Sequence, residues 1–159
     1  MLVEILRRCC PIPTIQACPE SPLRGGIAYV APPDQHLLVS SGRIAIRDVP
    51  AIDSIRPSVD LLFESLAAEF GNHLIVVVLS GCLADGAIGV TKVKAKGGRV
   101  IVQDPMTAIH AGMPNAAISS GCADFILPVD RIGSALTAPT MVPGSTELFP
   151  AAMPTWSTG

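Results

Sequence analysis

The apolar run from Leu74 to Leu79 (LIVVVL) constrains the fold more than any other stretch of the sequence. It lacks the alternation of polar and apolar residues that marks a strand with one face in water. Strands of a parallel sheet covered on both faces have this composition. The run is far shorter than the roughly 20 apolar residues that a membrane-spanning helix needs. We therefore expect a central strand of a buried parallel sheet.

The segments around this strand alternate between helical and extended patterns. Helices are predicted at residues 2–9, at 57–70 with Pro57 in the first turn, and at 87–96, 115–118 and 129–136; strands at 14–18, 27–31, 100–102 and 124–127; and a hairpin at 36–39 and 43–46. This alternation indicates an α/β fold with a doubly wound, mostly parallel sheet, a β-hairpin and three layers. Residues 2–9 look like the end of a helix, so the chain starts as if within an element, and we expect the fold to be incomplete at its N-terminus.

The last part of the chain changes in composition. Residues 138–159 contain four prolines with scattered Gly, Ser and Thr, and hold the single tryptophan, Trp156. Such a composition is typical of a poorly ordered tail. We therefore divide the chain into a domain at 1–137 and a Pro-rich, disordered tail at 138–159.

The charge content excludes several classes of protein. Charged residues make up 15% and hydrophobic residues 49%, the reverse of a disordered chain. With Lys plus Arg at 11 against Asp plus Glu at 13, no basic surface for nucleic acid is expected. Pro11 and Pro13 stand where a signal peptide would have its apolar segment, so the protein is predicted to be cytoplasmic, without membrane insertion.

The cysteines do not form a recognisable metal or disulfide pattern. The five residues are odd in number and contain no CxxC pair. We expect reduced, mostly buried thiols, no metal and no cofactor.

The segment at 79–86 (LSGCLADG) is the best candidate for a functional loop, because ligands of parallel α/β sheets bind at the carboxyl ends of strands. It matches neither GxGxxG nor a P-loop. Asp85 has two interpretations: an N-cap of the following helix, which the spacing favours, or a carboxylate that orients a catalytic histidine. Both can hold together. Ser80 lacks the GxSxG elbow of a nucleophile, and Cys82 has no activating base nearby in sequence.

The three histidines are far apart in sequence. His36, His73 and His110 have no partner motif, and a lone histidine is more often structural than catalytic.

Several segments together resemble a known catalytic domain. They are GGIAYVAPPDQHLLV at 25–39, RPSVDLLFESLA at 56–67, VVVLSGCLADGAIGV at 76–90, GGRVIVQDPMTAIHAGMPNAAI at 97–118 and DFILPVDRI at 124–132. In this order and spacing they resemble the catalytic domain of chemotaxis protein-glutamate methylesterases of the CheB type, over about residues 1–136.

This resemblance implies a hydrolase and assigns two site residues. The family hydrolyses methyl esters of chemoreceptor glutamates, and some members deamidate receptor glutamines. Its mechanism is a Ser-His-Asp triad, in which Asp85 matches the Asp. Cys82 stands where the family usually has Met, whose backbone N–H helps to form the oxyanion hole. A backbone donor survives a change of side chain.

The resemblance also implies that the other triad members lie elsewhere. In the family the Ser and the His precede the helix that residues 2–9 resemble, and His36 matches a position downstream of the catalytic His. We therefore expect an N-terminally truncated methylesterase, inactive alone. Its partners would be cytoplasmic domains of methyl-accepting chemoreceptors, and a missing N-terminal segment or receiver domain of the phosphorelay.

Two other readings stay open. One is a non-catalytic module that binds receptors or other partners, because the chain has Asp85 and the later loops of the family but not its nucleophilic serine. The other, a nucleotide-binding domain, is weak because phosphate-binding motifs are absent.

Overall fold

A computed structural model describes residues 2–48 and 55–137. Four strands follow the first helix, and from α2 onward helices and strands alternate. The order is α1 Leu2–Cys9, β1 Thr14–Gln16, β2 Ala28–Val30, β3 His36–Ser40, β4 Arg43–Arg47, α2 Val59–Phe70, β5 Ile75–Val78, α3 Ala87–Ala95, β6 Arg99–Gln103, α4 Gly112–Ser119, β7 Phe125–Leu127 and α5 Val129–Thr137. The tail predicted at 138–159, with Trp156, lies outside the described residues.

A parallel sheet of order β5-β6-β7 forms the centre of the C-terminal part. Val76 pairs with Val100 and Ile101 with Phe125 in its register. Both faces are covered: α2, α3 and α4 pack on Val76, Val78 and Val102, while α5 covers Ile101 from the other side. The predicted α/β class, doubly wound arrangement and three layers are confirmed, because the apolar strand was indeed one that needs cover on both faces.

The N-terminal part contributes two smaller sheets. β1 and β2 pair in parallel, and β3 and β4 form the predicted antiparallel hairpin. Its turn, Ser41-Gly42, has φ angles of 53° and 68°, the left-handed backbone that suits a two-residue hairpin turn. The hairpin is therefore fixed by local chemistry.

Helix α2 connects the hairpin to the three-stranded sheet. Leu62 packs against the hydrophobic cluster of the hairpin, around Leu37 and Ile44, and against the cluster under α2, α3 and α4. The Val39 N–H donates to Ser65 Oγ at 3.1 Å. At the hairpin turn, the N–H groups of Ser41 and Gly42 donate to the Glu69 carboxylate at 3.0 and 2.7 Å. This helix fixes the hairpin relative to the sheet.

The start of α2 differs from the prediction. The helix begins at Val59, and Ser58 is its N-cap, with its side chain accepting the Leu61 N–H at 3.5 Å. Pro57 precedes the cap and lies outside the first turn. A serine that can satisfy an unpaired helix N–H determines the first residue here, and the proline only limits the chain before it.

Candidate active site

The loop between β5 and α3 lies at the carboxyl end of the parallel sheet. It carries both site residues predicted from sequence. Asp85 is 7% exposed, whereas Cys82 is exposed to solvent. The structure thus brings a buried carboxylate and an exposed loop backbone to the same edge, where α/β proteins bind their ligands.

The Asp85 carboxylate accepts three hydrogen bonds from the start of α2. The Val59 N–H donates to Oδ2 at 2.7 Å, the Asp60 N–H to Oδ1 at 3.1 Å, and the Ser58 hydroxyl to Oδ1 at 3.2 Å. Three donors at these positions fix the orientation of the carboxylate.

The prediction that Asp85 caps the following helix is wrong. The N-cap of α3 is Gly86, which has no side-chain capping bond, and Asp85 serves the N-terminus of α2 instead. The reason is tertiary: α2 and α3 begin side by side, so a carboxylate next to one helix reaches the unpaired N–H groups of the other.

A buried chain of hydrogen bonds continues from Asp85 to His36. The Ser58 N–H donates to Nδ1 of His36 at 3.2 Å, and the imidazole is fully buried. These residues do not have the order of a catalytic triad. Nδ1 of the imidazole accepts the backbone N–H of Ser58, and the Ser58 hydroxyl donates directly to Asp85. His36 is therefore a satisfied histidine of the core.

The backbone around Cys82 is held by a close contact with α4. A Cβ atom on Gly112 would lie 2.7 Å from the Leu83 carbonyl oxygen and 2.9 Å from its nitrogen. Leu83 has a φ of 64°, which is uncommon for leucine. In the described part of the chain, the Cys82 N–H has no hydrogen-bond acceptor.

A second loop, after β6, is tied to the first. Gln103, at the end of β6, is 4% exposed, and its Oε1 accepts the Ser80 N–H at 2.9 Å. The His110 N–H donates to Ser80 Oγ, and the Gly81 N–H donates to the His110 carbonyl, both at 2.9 Å. Ser80 thus serves as a link between the two loops.

A second carboxylate, Asp60, lies beside Asp85. Its Oδ1 accepts the Gly89 N–H at 2.5 Å. Burial raises the pKa of Asp60, the Gly89 hydrogen bond opposes this, and the negative charge of Asp85 raises it further.

Both carboxylates line a cleft of about 420 Å³. Its other walls are mostly apolar, from Ile55, Leu83, Ala84, Ala87 and Ile88, with Ser58 beside the acids. Polar groups among apolar lining residues are typical of a site that orients a small ligand.

Sequence reasoning missed Ser58, Asp60 and Gln103. The sequence did carry signals: a serine followed by an acid at a helix start, and a glutamine at the end of an apolar strand. The prediction of mostly buried thiols is wrong, because Cys9, Cys18 and Cys82 are exposed and the other two cysteines are half-buried.

The described residues contain neither a candidate metal cluster nor a helix that could span a membrane. In residues 2–48 and 55–137, no group of three His, Cys, Asp or Glu side chains could hold a metal ion. Over the same ranges, no helix has the length and apolar content needed to cross a bilayer.

The profile of the family described as CheB methylesterase matches residues 1–136. The chain belongs to the CheB methylesterase family. The predicted resemblance is thereby confirmed over nearly all of the described residues.

Individual relatives of this CheB-type chain agree. It is 37% identical over 130 residues to a putative protein-glutamate methylesterase/protein-glutamine glutaminase of Leptospira interrogans, covering 81% of this chain and 67% of that protein. It is 42% identical over 112 residues to the protein-glutamate methylesterase FrzG of Myxococcus xanthus, covering 70% of this chain but 34% of FrzG.

A solved structure shows the same fold. The catalytic domain of the Thermotoga maritima CheB methylesterase superposes with a TM-score of 0.73 at 34% identity, covering 76% of this chain and 66% of that domain. The chain therefore spans about two thirds of the Thermotoga domain and about a third of FrzG.

Proposed function

We propose that this chain contributes the Asp85 side of a protein-glutamate methylesterase site, which hydrolyses methyl esters of chemoreceptor glutamates and deamidates receptor glutamines. The observation that carries the proposal is the buried Asp85 carboxylate, fixed by three donors at the edge of a cleft, in the loop that matches the family. We place the reaction in the cytoplasm, where the cytoplasmic domains of receptors lie.

In this proposal Asp85 orients a histidine. A carboxylate has about four acceptor positions, and the start of α2 occupies three of them. The remaining position would accept an imidazole N–H, which fixes the tautomer and stabilises the imidazolium formed as the histidine takes the serine proton.

Cys82 supplies a backbone donor for the oxyanion. Its N–H has no acceptor in the described residues and lies on the same exposed loop as Asp85. The contact of Gly112 against Leu83 holds this backbone, so the donor would be in place before the substrate carbonyl becomes tetrahedral.

The nucleophilic serine and the histidine would come from a further segment. An Asp alone neither attacks a carbonyl nor transfers a proton, so we expect the 159 residues by themselves to hydrolyse methyl esters little or not at all. β5 stands at one end of the order β5-β6-β7, with Val76 and Val78 3% and 1% exposed. Its second edge, unpaired in the described sheet, supports docking of an additional apolar strand there.

A methanol-release assay on a methylated receptor cytoplasmic domain tests this function. The chain is assayed alone, and again mixed with the part of the Leptospira relative that this chain does not cover, expressed separately. We expect no turnover alone and measurable turnover when mixed. Asp85→Asn should lower the mixed rate by roughly three to four orders of magnitude.

The matched control is Asp130→Asn, at the start of α5 on the opposite side of the sheet, which should leave the rate unchanged. If the isolated chain turns over substrate and Asp85→Ala abolishes that turnover, the expected inactivity is wrong. If Asp85→Asn leaves the turnover of the mixture unaltered, Asp85 is not a member of the triad.

A second candidate is a non-catalytic module that binds receptors or other partners. The observation favouring it is that Met106 and Ile109 are 90% and 88% exposed on the loop after β6, beside the candidate site. Pull-down with receptor cytoplasmic domains tests it. Binding lost in Met106→Ser with Ile109→Ser, but kept in Asp85→Asn, would support the module; no binding by folded protein would exclude it.

A further inference from the structure

The N-termini of α2 and α3 cap each other in a crossed manner. Asp85, which directly precedes the N-cap of α3, accepts the Val59 N–H of α2 at 2.7 Å. Asp60, the second residue of α2, accepts the Gly89 N–H of α3 at 2.5 Å. Each helix thus obtains from the other a carboxylate acceptor for its unpaired first-turn N–H groups.

Asp60 lies where α2 and α3 approach each other closely, at Gly89. A Cβ atom on Gly89 would lie 2.8 Å from the Cβ of Phe63 and 3.1 Å from Oδ1 of Asp60. The two helices therefore approach so closely that only glycine fits at this position, and Oδ1 of Asp60 lies against the first turn of α3.

Asp60 contacts both the Asp85 carboxylate and the first turn of α3, which follows Asp85 in the chain. Its backbone N–H donates to Asp85 Oδ1 at 3.1 Å, and its side chain holds the first turn of α3. That turn begins immediately after Asp85 in the chain. Asp60 thus supplies one of the three donors that orient the Asp85 carboxylate, and it also holds the helix turn that follows Asp85.

We propose that Asp60 is a positioning residue, which holds Asp85 at the angle needed to orient a histidine. This inference rests on the proposed role of Asp85. Asp60 acts through Asp85 and Gly89, and takes no part in proton transfer or nucleophilic attack.

The test measures the Asp85 hydrogen bond itself, in the full chain. The readout is the scalar coupling across the hydrogen bond from the Val59 amide nitrogen to the Asp85 carboxyl carbon, which depends steeply on hydrogen-bond geometry. Asp60→Ser, whose shorter side chain does not reach Gly89, should reduce this coupling at least about twofold. Asp60→Asn, whose amide oxygen can accept the Gly89 N–H, should restore it.

Asp124→Ser is the matched control. The Asp124 carboxylate also accepts a backbone N–H, from Val100 at 2.7 Å, and its loss should leave the Val59 coupling unchanged. If Asp60→Ser does not fold, Asp60→Glu serves instead, because its longer side chain keeps the charge but displaces the carboxylate from Gly89.

An unchanged coupling in a folded variant whose Gly89 amide exchanges faster would overturn the proposal, since Asp60 would then be only a local cap. The test does not depend on activity. The coupling can respond as expected while the completed protein hydrolyses esters equally well with Asp85→Asn. That pair of results would refute the proposed function and leave the positioning contact established.

Discussion

At the scale of single residues, the candidate site depends on close backbone packing as much as on charged groups. Gly112 begins α4 and faces the backbone of Cys82 and Leu83. Any side chain there must push the loop that carries the proposed oxyanion donor, because the nearest atoms belong to the backbone and cannot rotate away.

Gly112→Ala is therefore expected to lower the free energy of unfolding by about 1–3 kcal/mol, since overpacking against backbone costs this much. The control is Gly133→Ala in α5, where a Cβ meets no atom within 4 Å. That change should raise stability by about 0.5–1 kcal/mol, because alanine is the better helix former. Urea denaturation of the three proteins measures both. Equal effects of the two substitutions would refute the steric argument.

Asp60 predicts a pH dependence of stability with a definite sign. Its pKa is raised above the usual value of 3.8, mainly by burial and also by Asp85. The folded state therefore keeps the Asp60 proton to a higher pH than the unfolded state does. The contribution of Asp60 to stability therefore falls as the pH rises from the usual pKa of 3.8 through the higher pKa of the folded state. Above the folded pKa this contribution is constant.

Comparison with Asp60→Asn isolates this contribution, because asparagine does not titrate and can still accept the Gly89 N–H. The stability of the variant relative to the parent should increase as the pH is raised through this window. Denaturation at a series of pH values measures the difference. A relative stability that falls over the same window would contradict the raised pKa.

At the scale of elements, α2 is the connection between the hairpin and the site. Its first turn donates to Asp85, and near its last turn Glu69 accepts both N–H groups of the hairpin turn. The same helix thus couples the β3–β4 hairpin to the α3 N-terminus through rigid backbone.

Glu69→Ala is expected to destabilise the chain by about 1 kcal/mol, because two backbone donors of an exposed turn return to water. Glu64→Ala is the control, since Glu64 is exposed on the same helix and accepts no hydrogen bond in the described part of the chain. It should change stability by less than about 0.5 kcal/mol. Thermal unfolding with hydrogen exchange at Ser41 and Gly42 measures both; unaltered exchange in Glu69→Ala would argue against the contact.

At the scale of the whole molecule, the hydrophobic clusters of the described chain lie within residues 17–135. We propose residues 1–137 as the folded domain. A chain ended at Thr137 keeps every member of these clusters, so its free energy of unfolding should agree with that of the full chain within about 0.5 kcal/mol. Parallel urea titrations test this. A loss of several kcal/mol would show that residues 138–159 contribute to the fold.

The sequence by itself determined the elements and the sheet. The apolar run at 74–79, the hairpin at 36–39 and 43–46 and the alternation of helix and strand depend on local propensity and periodicity, which are readable along the chain. The resemblance of several segments together predicted the family, which the match over residues 1–136 confirms. Asp85 and Cys82 are site residues predicted from the same resemblance.

Only the tertiary structure decided what these residues contact. Asp85 caps α2 rather than α3, Asp60 and Ser58 join it, and Gln103 ties two loops together. Each of these contacts links residues more than 20 positions apart. Sequence spacing predicts the partner of a capping side chain only when both belong to one turn. Here the partner is set by how closely two helices pack, which local propensity does not contain.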